Sequence, residues 1–407
     1  MWLVGLTQGF AQAQPAATLP FTRRALGLDE AAMSSLLAWA RLGAVVAVGL
    51  SIWADRRGRR RPLLVAYFLL IVASASSGFA TGPLGFGMAQ AVVRGATSGL
   101  SALGVVWLAE NIGPHVRAYG VGLYGAAGSL GAGIAVLGLP LADLDWRLPY
   151  FATGIGIVLL PILARRVAES PRNRTAPPAT TRVGDPRRLL RNRVFLLAGA
   201  AALLPAAYSS LGLSFLTERL VGGLSLSSGQ AAAMTLAAGT IGGVGFFLGG
   251  RMADTWGRRP ATVIALLAIL IGGIGVFHLR SPVPLFIALV ISSYGSFAYV
   301  PSAFSRRAEL FEREQRATAA ATLTWVATIG STIGLVTGGL LIRRLGLTAT
   351  MDVLAVGVML AVVVESLLPE TKGRSLEPTP DQHPEPAEHH RPHRHPHAGQ
   401  SPSKSGD

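Results

Sequence analysis

Apolar residues run along this chain in blocks of about twenty, the length a helix needs to cross the hydrocarbon core of a bilayer. Twelve such blocks fall at 2–20, 31–52, 62–82, 84–109, 118–139, 148–165, 194–216, 228–250, 260–279, 284–304, 317–342 and 348–368. Most of the turns between them are short. Two stretches break the rhythm. Residues 166–193 are rich in Arg, Pro and Thr, and residues 369–407 are polar and rich in Pro and His. The pattern predicts an all-α membrane protein with twelve transmembrane helices in two pseudo-symmetric six-helix bundles. The bundles occupy 1–165 and 194–368, joined by a cytoplasmic linker at 166–193 and followed by a disordered cytoplasmic tail at 369–407.

The first block contains "AQAQPAA", which imitates a signal-peptide cleavage region. Its leading residues carry no positive charge, unlike the start of a signal peptide. Removing it would leave eleven spans, so it is read as a true first helix; whether its start is truncated stays open.

Composition supports the membrane reading. Half of the chain is apolar and 14% is charged, against roughly a quarter charged in a soluble domain. The absence of cysteine excludes disulfides and thiolate chemistry. The formal net charge of +15 is nearly all arginine, since Lys372 and Lys404 are the only lysines. With the N-terminus in the cytoplasm, the turns on that side hold roughly three times the arginines of the other side. Such placement speaks for a multi-pass protein of the cell membrane with both termini cytoplasmic, and against nucleic-acid binding.

The charged punctuation is written twice. Asp55, Gly58, Arg59 and Arg60 match Asp254, Gly257, Arg258 and Arg259 at an offset of 199. "AENIGPHVR" at 109–117 matches "AELFEREQR" at 308–316 at the same offset, and "AESPR" at 168–172 is echoed by "PETKGR" at 369–374. Two parallel six-helix halves form a known transporter plan.

With these motifs the chain resembles the major facilitator superfamily. The turn after span 2 in that superfamily is similar to G-x-x-x-D-R-x-G-R-R. Here the second copy supplies Gly250, Asp254, Gly257, Arg258 and Arg259, while Ser51 stands at the leading glycine of the first copy. "PETKGRSLE" and "AESPR" are similar to the sugar porters and the metabolite:proton symporters near them. The resemblance implies secondary transport by alternating access. It implies a cytoplasmic gate of inter-helix salt bridges from Asp55, Gly58, Arg59, Arg60, Glu110, Arg117 and Glu169, with their counterparts Asp254, Gly257, Arg258, Arg259, Glu309, Arg316 and Glu370. These bridges hold the outward-open state. In a purely structural reading the same charges anchor loops and set topology.

Ionisable residues inside a span point to function. Arg41 lies mid-way along span 2 and Arg94 inside span 4, at similar depth, and no Asp or Glu lies near the middle of any span. Two guanidiniums facing one cleft suit an anionic solute; the plainer alternative is snorkelling or a bond to a helix carbonyl. By resemblance, spans 1, 4, 7 and 10 line the cavity. Its candidate polar contacts are then Gln8, Gln12, Arg94, Ser98, Tyr208, Ser209, Ser293 and Tyr294, each of which equally suits a bond between helices. Pro15, Pro20 and Pro205 interrupt spans 1 and 7 and point to the same region. Proton-coupled sugar porters carry an acid in span 1, and this span has none, which puts a coupling proton in doubt.

The reading is a transporter of a small polar solute, preferably an organic anion. It acts as a monomer with no cofactor, no resident metal and no catalytic residues. A drug/proton efflux transporter of the same fold and a non-transporting sensor remain alternatives. Span 5 lacks the Gly-Pro pair of drug antiporters, and no P-loop or interfacial His/Asp/Glu cluster marks an enzyme. Six of the eight histidines fall in the tail, read as a solvated segment rather than a metal site. His278 is read as structural.

Overall fold

A computed structural model describes residues 1–112, 116–167, 191–311 and 313–373. The linker residues 168–190, which include Glu169, and the tail from 374 lie outside the described residues, as do the side chains of Asp55, Arg117 and Arg316. Among the described residues every regular element is helical.

Among the described residues, ten helices are long and apolar enough to cross a membrane. The count differs from twelve for two local reasons. Span 1 is split by a break at Thr18 into Trp2–Ala17 and Leu19–Ala25, and neither piece alone is long enough. Pro20 starts the second piece, where its missing N–H costs nothing. Spans 11 and 12 run together as Arg313–Leu367, interrupted at Gly346, whose φ of 79° turns the chain out of the helix. The remaining spans are Glu30–Ala54, Arg60–Gly78, Pro83–Leu108, Gly120–Leu144, Leu148–Arg166, Arg193–Gly223, Ser228–Thr255, Arg258–His278 and Pro282–Arg307. Taken in order as spans 2 to 10, they match the sequence reading within a few residues.

The two halves use one packing scheme. Span 1 packs on span 5, span 3 on span 4 and span 2 on span 4; span 7 packs on span 11, span 9 on span 10 and span 8 on span 10. Lipid tails are as apolar as leucine, so helices associate in the membrane through close van der Waals approach. Gly131 of span 5 and Gly330 of span 11, 199 residues apart, provide it. A Cβ on Gly131 would stand 1.9 Å from the Leu6 carbonyl oxygen, and one on Gly330 would stand 2.3 Å from that of Leu203. The duplication is thus built into the helix contacts as well as the charged turns.

Alternate turns define two ends. The arginine-rich end carries the turns after spans 2 and 8, where Gly58 (φ 99°) and Gly257 (φ 122°) take left-handed backbone that a side chain would strain. The opposite, distal end carries the span 1–2, 7–8 and 11–12 turns.

Adding side chains at Gly330 tests the packing. Gly330→Val should push span 11 off span 7 and cost about 1–3 kcal/mol. Gly229→Ala, where a Cβ meets nothing within 4 Å, should change the melting temperature of the purified protein little.

Candidate functional site

The two central arginines occupy different surroundings. Arg41 opens a 3-10 stretch, Arg41–Ala44, which re-aims span 2 midway. From there its guanidinium crosses to the other half. Nη1 donates to Ser331 Oγ of span 11 at 2.5 Å and Nη2 to Ser210 Oγ of span 7 at 2.8 Å. Nε is buried without a partner. Arg94 lies on span 4. It stays partly exposed, unlike the sealed Arg306. Among the described residues it has no hydrogen-bond or ion-pair partner. Ser98 lies one turn along the same helix, half-buried, with its hydroxyl uncommitted.

The other cavity candidates divide. Gln12 is exposed and Ser209 half-buried, both without side-chain bonds among the described residues. Gln8 is fully used: its amide donates to Ser101 Oγ at 2.5 Å and its carbonyl accepts from Tyr124. Tyr208 is buried against Gly273 of span 9 and so lies in a helix contact. Ser293 packs on Gly242 of span 8, and Tyr294 donates to Met252 Sδ at 3.4 Å. Ser293 stands 199 residues from Arg94, so only the N-terminal copy places a charge at this position. The sequence reading missed Ser210 and Ser331, because a serine in a glycine-rich helix carries no signal of its own.

At the arginine-rich end the gate candidates pair within each half. Arg59 Nη2 lies 3.7 Å from Glu110 Oε1. Their counterparts, Arg258 and Glu309, lie 3.2 Å apart, and Arg258 also pairs with Asp254. Arg60 donates to the Ala164 carbonyl of span 6. Glu370 accepts from the backbone N–H groups of Arg258 and Arg259, both at 2.9 Å, and so caps the start of span 9. Behind it, Arg306 is 1% exposed and pairs with Glu365 of span 12. Its Nη2 also donates to the carbonyls of Leu368 at 2.8 Å and Pro369 at 3.2 Å, which fixes the turn that presents Glu370.

At the distal end the contacts cross between halves. Arg23, at the end of span 1, grips Glu218 of span 7 in a fork, with Nη2 to Oε1 at 2.7 Å and Nε to Oε2 at 3.3 Å. Ser34 Oγ donates to the Leu335 carbonyl at 2.7 Å, and Arg343 meets Asp29 at 3.0 Å. Ser228 donates to Asp143. Charged residues at span ends read as topology signals, so their pairing across the seam was not legible in the sequence. His278, read as structural, contacts Asp352 of span 12 at 2.8 Å.

The family model for the Major Facilitator Superfamily matches residues 1–305 and again 223–397, so the chain belongs to that superfamily. Solved structures share its fold at low identity. A D-xylose-proton symporter is 19% identical with a TM-score of 0.75, covering 92% of this chain and 98% of that one. A bacterial homologue of the human lysosomal transporter Spinster, solved inward-facing and unoccupied, is 18% identical with a TM-score of 0.74, covering 90% and 96%. A nucleoside transporter is 12% identical with a TM-score of 0.76, covering 90% and 98%. No curated protein is a significant sequence relative. The chain is a multi-pass membrane protein built for secondary transport.

Burial alone would raise the Glu370 carboxyl, but the four backbone N–H groups of Lys372, Arg259, Thr371 and Arg258 bring it below the ordinary glutamate range. A depressed carboxylate stabilises the fold above its unfolded pKa and loses that contribution as the pH falls through its folded value. Glu370→Gln should therefore lower the melting temperature at pH 7, and the difference from the unsubstituted protein should close as the pH drops below about 4.

Proposed function

We propose that the protein moves a small organic anion across the cell membrane by alternating access. The arginine-rich end faces the cytoplasm and the structure corresponds to the inward-facing state. The observation that carries the substrate class is Arg94: a partly exposed guanidinium inside span 4, with no protein acceptor among the described residues. Leaving such a charge unpaired inside the membrane region is expensive, and a carboxylate of the solute offsets that cost with a charge-assisted, two-point hydrogen bond. Arg41 adds to the positive field while its Nη1 and Nη2 are held by Ser331 and Ser210. Ser98, Gln12 and Ser209 supply neutral polar contacts to the rest of the solute.

Alternating access follows from where the two halves touch. With the distal seam latched by Arg23–Glu218 and Arg41 tied to spans 7 and 11, the solute exchanges with the arginine-rich side. Opening the distal side requires those bonds to break together. The paired charges of the cytoplasmic turns, each closed within its own half, let the halves rock as units. In this reading the gate works inside each bundle, with Glu169, Asp55, Arg117 and Arg316 proposed as further members of it. Coupling through the solute's own charge needs no acid in span 1. The protein works as a monomer in this account, and the motifs after spans 6 and 12 align it with sugar-porter-like symporters.

Uptake into proteoliposomes of radiolabelled mono- and dicarboxylates, with xylose and a nucleoside as neutral comparators, tests the reading. A carboxylate should accumulate and the neutral solutes should not. Arg94→Ala should cut that flux at least a hundredfold while the melting temperature is kept. Flux of the neutral solutes alone would refute the anion assignment, and no flux of any solute would favour the sensor.

A further inference from the structure

A cavity of about 340 Å³ opens at the distal end, away from the central arginines. It straddles the seam, with Arg23, Arg24 and Glu30 from the N-terminal half and Glu218, Arg219 and Thr348 from the C-terminal half. Its charges are not balanced. Arg23 and Glu218 satisfy each other in the fork described above. Arg219 spends Nε on the Val276 carbonyl and Nη2 on the Leu279 carbonyl, at 3.3 and 3.1 Å, which leaves Nη1. Arg24 is exposed and has no hydrogen-bond or ion-pair partner among the described residues. Two guanidinium groups therefore face the cavity against the single remaining carboxylate of Glu30.

The backbone between them is a tight turn. Glu218–Gly223 forms a π-helical turn, a geometry that recurs at functional sites. It ends in Gly222 and Gly223. A Cβ on Gly222 would stand 2.4 Å from Glu218 Oε1 and 3.7 Å from Arg24 Nη2, and one on Gly223 would stand 3.4 Å from Arg219 Nη1. The Arg24 Nη2 and Arg219 Nη1 edges thus flank a glycine pair, with the Glu218 carboxylate packed on Gly222 and held by Arg23.

We propose that this cavity binds a small oxyanion (a carboxylate, sulfate or phosphate group) between Arg24 of one half and Arg219 of the other. The two cations belong to opposite halves, so the anion stabilises only the arrangement that brings them together. It acts as a removable clasp on the distal mouth, and by linkage closure of that mouth tightens the anion's hold. The proposal rests on the seam geometry and is independent of the solute assigned to Arg94.

Calorimetric titration of the full chain with sodium sulfate in lipid-free detergent micelles tests it, with sodium chloride at equal ionic strength as the reference. Sulfate should bind at one site, and Arg24→Gln should weaken it at least tenfold. Arg24 is exposed, so that variant keeps its fold. Arg219→Gln should weaken it similarly. Locking the mouth shut should preserve or tighten binding. Ser35→Cys with Gly339→Cys achieves this: the Cβ position of Gly339 lies 3.3 Å from Ser35 Cβ, within disulfide reach, and the chain has no other cysteine. Loss of binding in the locked protein, no sulfate-specific heat, or equal affinity in Arg24→Gln would each overturn the proposal. Repeating the titration in phosphatidylglycerol nanodiscs separates the sources: heat retained assigns the site to a free anion, and heat lost there but present in micelles assigns it to a lipid headgroup.

Discussion

A guanidinium cannot be left without a partner in hydrocarbon, and that constraint arranges most of this molecule. Arginines are kept out of the lipid-facing spans and gathered into turns, which gives the chain its repeated charged punctuation. Two that enter the bundle are tied to protein groups. Arg306 is sealed onto Glu365 and two carbonyls, and Arg41 onto two serines of the opposite half. Arg94 instead stays partly exposed, with no protein partner among the described residues. The same rule that makes charge rare inside a membrane protein makes each exception informative.

A second constraint divides contacts into those that hold a half together and those that hold the halves to each other. Within each half, glycine positions bring backbones into near contact, as at Gly131 on Leu6 and Gly330 on Leu203. Such interfaces lose packing steeply if parted, so each half behaves as one body. Between the halves the seam relies more on polar contacts: Arg23 to Glu218, Arg343 to Asp29, Ser34 to a carbonyl and Arg41 to two hydroxyls. Polar contacts of this kind are worth little net when water can replace them. They let the seam open at modest cost while each half stays intact.

Much of this architecture is legible in the amino-acid order. Block length marks the spans, and the offset of 199 reveals the two-copy plan. That plan holds down to the pairing of Arg59 with Glu110 and Arg258 with Glu309. The breaks at Thr18 and Gly346 are less visible, since a helix interrupted within an apolar run keeps its hydropathy. Side-chain direction is least legible. Gln8, Tyr208, Ser293 and Tyr294 share the polar chemistry of Ser98 and Gln12, but which face of a helix meets the cleft depends on the rotation of the whole helix. Composition does not encode that. The Arg23–Glu218 fork is hidden for a related reason: its partners are 195 residues apart and meet only when the halves close.

The central claim is that two rigid halves rock about the seam, so that one end closes as the other opens. Pulsed electron–electron spin resonance on the otherwise cysteine-free chain measures this directly. One label pair spans the distal end, Phe79→Cys with Val283→Cys, and another spans the arginine-rich end, Arg57→Cys with Trp256→Cys; Phe79, Val283 and Trp256 are strongly exposed. The account predicts opposed distance populations, short distally and long at the arginine-rich end in the state described here, with both reversing together as conditions shift the balance. Distances that shorten or lengthen together at the two ends, or an end that moves alone, would contradict it.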